Sequence, residues 1–78
     1  MDRRLVTTKE LARGLAISIA SVNYYTNLGL FDVQERRGNV RLYDLLKIQK
    51  RFQKIKDLRR SGYSLRVIQK ELNKKGSL

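Results

Sequence analysis

Apolar residues recur every three or four positions along most of this chain, but between Leu30 and Tyr43 the period falls to two. The longer period buries one face of a helix and the shorter one buries one face of a strand, so the pattern calls for helices on either side of a small hairpin. There is no Pro to break a helix, and five Gly supply the punctuation.

Thr7 followed by Glu10 is a capping box. It predicts a short helix from Thr8 to about Gly14, with Leu11 and Leu15 turned inward. Ser18 is a second N-cap, ahead of an apolar stripe formed by Ile19, Val22 and Tyr25, and Gly29 is placed to close that helix. Two short helices separated by a few residues outline a helix-turn-helix. Val33 and Glu35 lead into Arg36, Arg37, Gly38 and Asn39, after which Val40 and Leu42 alternate with Arg41, as in two short strands joined at a turn. From Asp44 a longer helix is expected to about Ser61. Leu45, Ile48, Phe52 and Ile55 form its inner side, and Lys47, Lys50, Arg51 and Lys54 its outer side. Gly62 ends it, and Ser64 caps a last helix carrying Leu65, Ile68 and Leu72 before Gly76. The expected fold is mainly α, a winged helix-turn-helix in the order helix, helix, hairpin wing, helix, helix. One domain over 1–75 and a tail at 76–78 follow.

A chain of 78 residues has room for one small core. Its charge is lopsided: 18 Lys and Arg against 7 Asp and Glu give +11, which points to a polyanionic partner. Residues 1–33 hold 4 basic and 3 acidic groups, and residues 34–78 hold 14 and 4, so the second half supplies the field. With no Cys there is neither a disulfide nor a thiolate metal site. With no His the usual general base is missing as well, and the acids stand singly, so an enzyme and a metal site are both disfavoured. The lack of His also predicts that affinity for a partner changes little between about pH 6 and pH 8. No apolar run approaches the length of a membrane span, and the N-terminus has no signal-peptide stretch; a cytoplasmic protein without a cofactor is expected.

On the second helix, Ala20, Asn23, Tyr24 and Asn27 fall within about a third of the circumference and suit a reading surface. Asn can make a paired hydrogen bond to adenine, and Ala can touch a thymine methyl. Tyr24 and Tyr25 point about 100° apart, so one packs while the other offers its hydroxyl to a phosphate. Ser18 and Ser21 flank the same surface. Arg36, Arg37, Asn39 and Arg41 make the hairpin a basic wing that can reach a minor groove or a phosphate. Lys47, Lys50 and Lys54 are read as a solubilising outer face. Arg59, Arg60, Tyr63 and Ser64 surround the start of the last helix, whose free amides suit a phosphate.

From Val6 to Leu72 the chain resembles the DNA-binding domain of the MerR family of transcriptional regulators. The resemblance rests on Thr7-Thr8-Lys9-Glu10-Leu11-Ala12, Ser18-Ile19, Val22-Asn23-Tyr24-Tyr25, Asn27-Leu28-Gly29-Leu30, Arg41-Leu42-Tyr43 and Leu58-Arg59-Arg60-Ser61-Gly62-Tyr63-Ser64-Leu65, in that order and at that spacing. It implies a factor that binds double-stranded DNA as a dimer on a near-palindromic promoter site and distorts it. Base-proximal roles for Ala20 and Asn23, phosphate roles for Tyr24 and Arg59 or Arg60, and a wing role for Arg41 come with it. Family members commonly carry Arg where this chain has Ala20 and Asn23, which implies a different operator or more reliance on the wing. The family's dimerising helix would begin at about Gly76-Ser77-Leu78, so the expectation is a domain cut from a longer regulator, monomeric when isolated. Two other readings are a stand-alone architectural or excisionase-like DNA-binding protein and a module that binds an acidic protein partner.

Overall fold

The computed structural model describes residues 5–75. The 76–78 tail, Gly76 included, lies outside the described residues. The chain order is β1 (Leu5–Thr7), α1 (Thr8–Leu15), α2 (Ile19–Asn27), β2 (Glu35–Arg37), β3 (Val40–Asp44), α3 (Leu45–Arg60) and α4 (Leu65–Lys75). This is a winged helix-turn-helix in the expected order of helices and hairpin.

The capping box forms at both ends: the Glu10 amide donates to Thr7 Oγ1 at 3.2 Å, and the Thr7 amide donates to Glu10 Oε1 at 2.9 Å. α1 runs through Gly14, where it was expected to end, and stops at Ala16 in a left-handed conformation with φ 58°. Gly14 serves contact instead, since a Cβ there would stand 3.3 Å from Leu45 at the start of α3. α2 does close at Gly29, φ 79°, with the amides of Gly29 and Leu30 returning to the carbonyls of Thr26 and Tyr25. The same 5→2 and 6→1 pattern closes α3, where Gly62 and Tyr63 donate to Arg59 and Leu58.

The sheet has three strands where two were expected. Its order is β1-β3-β2, all antiparallel, with Val6 opposite Tyr43 and Arg36 opposite Arg41. Residues Leu5, Val6 and Thr7 are too few to show alternation; β1 is a strand because β3 lies beside it. The hairpin itself starts at Glu35, so Val33 precedes it. Its two-residue turn has positive φ at Gly38 only, the arrangement of a II′ turn that suits strand twist.

Two positions differ from their expected burial, and two more form a buried pair that no pattern marks. Ile19 is 46% exposed, whereas Val22 is fully buried and Tyr25 packs on the core. The stripe of three spans about 120° of helix, and its first member falls past the edge of the contact with α1. Arg51 is half-buried, with Nη1 sealed and unpartnered among the described residues, because three after Ile48 and four before Ile55 is still the inner side of α3. Leu30 and Phe31, which follow no period, are each 1% exposed. Phe31 meets Tyr25 at 5.1 Å and Phe52 at 6.1 Å between ring centroids, and this cluster ties the end of α2 to α3.

Candidate nucleic-acid interface

The outward face of α2 is built by the inward one. Val22, Tyr25 and the half-buried Thr26 hold the helix down, which leaves Ile19, Ala20, Asn23, Tyr24 and Asn27 outermost within about 140° of arc. Not one residue of α2 is charged. Among the described residues its side-chain hydrogen bonds come from Thr26 and from the Ser18–Ser21 cap, which leaves the amides of Asn23 and Asn27 and the hydroxyl of Tyr24 without a side-chain bond there. Of the adjacent tyrosines, Tyr25 packs inside and Tyr24 is 52% exposed, as expected of the pair. Ser18 Oγ accepts from the Ser21 amide at 3.0 Å and donates to Ser21 Oγ at 2.9 Å. Its proton is therefore committed internally, whereas that of Ser21 is not.

Wing geometry separates the arginines that the sequence presents as a group. Arg36 and Arg41 are directly opposite each other, so their side chains leave the same face of the ribbon. Two like charges at that spacing repel, and nothing on the ribbon neutralises them. Arg37 alternates to the other face, where its Nε donates to Glu35 Oε2 at 2.9 Å. Asn39 is exposed in the turn.

One contact fixes which way the arginine pair faces. Tyr43, two residues after Arg41 on β3, shares its face. Its buried hydroxyl lies 2.9 Å from Thr26 Oγ1 on α2. Thr26 has one hydroxyl proton and donates it to the Val22 carbonyl at 2.8 Å, so Tyr43 is the donor in the contact between them. The face of the sheet that carries Arg36 and Arg41 is thus the face that meets α2. At the same, C-terminal end of α2, Gln69 of α4 donates to the Leu28 carbonyl at 2.6 Å.

Around the α3–α4 turn, Arg59, Arg60, Tyr63 and Ser64 are all exposed. Arg60 leans on Asp57 at 3.6 Å. Ser64 Oγ accepts from the Val67 amide at 3.3 Å, which caps α4; the amides of Leu65 and Arg66 before it have no acceptor within the helix. Lys47, Lys50 and Lys54 are exposed on the side of α3 away from its buried residues. Among the described residues no group of His, Cys, Asp and Glu could hold a metal ion, and no helix is long and apolar enough to cross a membrane.

Sequence reasoning missed two features of the candidate interface. Ile19 was assigned to the core, although its distance around the helix from Tyr25 could have shown it at the margin. The Tyr43–Thr26 bond has no local signal, since its partners are far apart in the chain and meet only when β3 packs beside α2.

No curated protein and no solved structure matches the chain. The family model described as MerR HTH family regulatory protein matches residues 6–75, from Val6 in β1 through the end of the α4 segment. With nearly the whole chain covered, this protein belongs to the MerR family of helix-turn-helix regulatory proteins and is a DNA-binding regulatory domain.

Proposed function

We propose that the domain recognises duplex DNA with two surfaces of different chemistry, α2 seated in the major groove and the wing on the adjoining backbone or minor groove. The single observation behind this reading is the Tyr43–Thr26 bond, which orients a pair of mutually repelling arginines toward the side of an uncharged, exposed helix. A polyanion beside that helix would relieve the repulsion between Arg36 and Arg41 and release counterions, the dominant source of affinity in such complexes. Ala20, Asn23 and Asn27 face base edges in this arrangement, with Ser21 and Tyr24 on flanking phosphates. Arg59 and Tyr63, with the first amides of α4 behind Ser64, provide a further phosphate anchor. Arg60 and Asn39 are secondary backbone contacts, Arg37 is drawn toward Glu35, and Ser18 acts through the cap of α2.

In this reading residues 1–75 act as one DNA-binding unit that pairs with a second copy through a region outside it, so the isolated chain binds one half-site with modest affinity. Titration of a random and a selected duplex at several salt concentrations tests it. If about five phosphates are neutralised, log affinity should fall against log salt with a slope of about −4 to −5, and amide signals of residues 18–27 should shift on both duplexes. An affinity independent of salt, or unmoved signals across α2, would overturn it.

A further inference from the structure

The composition of the α2 surface narrows the choice of base pair. Guanine is read in the major groove by Arg or Lys on O6 and N7, and cytosine by Asp or Glu on the N4 amino group. In a chain with 18 Lys and Arg, α2 has neither kind of side chain. It presents amides at Asn23 and Asn27, which match adenine N6 and N7, and bare methyl groups at Ile19 and Ala20, which match the thymine 5-methyl.

Ile19 carries the argument further than its neighbours. It is a branched hydrophobe, 46% exposed, at the first position after the Ser18 cap, where a recognition helix meets base edges. A single exposed apolar side chain is ordinary. This one continues a strip with Asn23 and Asn27 at successive intervals of four residues, so it lies in the reading face rather than beside it. Water is displaced from its methyl groups only by an apolar surface, and the thymine methyl is the one such surface on the floor of the major groove.

We infer that α2 selects A·T pairs at the centre of its half-site, with Ile19 and Ala20 packed on thymine methyls and Asn23 bonded to an adenine. The inference rests on the duplex reading above. Ile19 and Asn23 are about 6 Å apart along the helix axis, so the thymine and the adenine should lie about two base steps apart where the helix follows the groove.

Selection of bound sites from random duplexes with the full 78-residue chain should return an A·T core. In the selected site, replacing the contacted thymine by deoxyuridine removes only the methyl group and should weaken binding about fourfold. The variant Ile19→Ala should lose about as much on the native site and be indifferent to deoxyuridine. Asn23→Ala should in the same way be indifferent to 7-deazaadenine at its contact. Because Ile19 is exposed, its replacement should leave the melting temperature unchanged, which separates lost reading from lost folding. A G·C core, or a full deoxyuridine penalty persisting in Ile19→Ala, overturns the A·T inference while salt-dependent duplex binding keeps the broader reading. Absence of duplex binding overturns both.

Discussion

α2 and the wing meet through one hydrogen bond and share almost no chemistry. α2 has no charge and offers amides and methyl groups; the ribbon has arginines and holds two of them face to face. Charge acts over about a Debye length and is nearly blind to sequence, whereas an amide or a methyl group acts at contact and depends on which base it meets. The division teaches that affinity and choice can be placed on separate elements. A cation on the reading helix would add affinity for every duplex beside any base it reads, and so dilute the preference.

The strongest way to break the comparison is to remove charge from the wing. Arg36→Ala combined with Arg41→Ala should lower affinity by about a hundredfold for selected and random duplexes alike, and make the salt slope shallower by about two, both read from titrations at several salt concentrations. The same double variant should melt slightly higher than the parent without DNA, because a directly opposed like-charge pair is gone. A variant that lost preference but kept its salt slope would mean that the wing reads bases. Asn23→Ala probes the other side of the comparison. It should cost about tenfold on the selected duplex, nothing on a random one, and leave the slope unaltered.

How much of this was legible in the sequence depends on the range of the interaction responsible. Caps and helix ends are local, so Thr7 with Glu10, Ser18, Gly29 and Gly62 could be read directly, and the order of elements followed from them. Ala16 was not legible, because α1 closes with the same backbone pattern as α2 and α3 but has an exposed Ala in the left-handed position that Gly normally marks. β1 was not legible either, since three residues show no period until β3 supplies a partner. In the candidate interface the exposed residues of α2 and the basic hairpin were visible as types. The pairing of Arg36 with Arg41, the turning away of Arg37 and the outward position of Ile19 depend on register and on neighbouring elements, and no local pattern encodes those.

Tyr43→Phe sharpens the comparison by cutting the link between its two halves. The ring stays in the core, and only the hydroxyl that donates to Thr26 is lost. A neutral bond of this kind contributes about 1 kcal/mol, so thermal unfolding should show a loss of that order. The effect on DNA should be selective: α2 and the wing would keep their own contacts but lose their fixed spacing, so the ratio of specific to random affinity should narrow while random affinity holds. An unchanged ratio would show that packing alone sets the spacing.

Ser18→Ala is the mildest test, and it separates two ways in which a serine at the head of a reading helix can matter. The hydroxyl accepts from the Ser21 amide and donates to Ser21 Oγ, so its internal partners account for both functions. Its loss should destabilise the domain by about 1 kcal/mol through the exposed amide, as at other helix caps, with little change in affinity for folded protein on any duplex. Ser18→Asp should recover the cap, because a carboxylate accepts the same amide and favours the positive end of the helix. It should at the same time weaken duplex binding, because it places a negative charge against phosphate. If Ser18→Asp restored stability and left affinity intact, the start of α2 would lie away from the DNA backbone, and the seating of the helix in the groove would have to be reversed end for end.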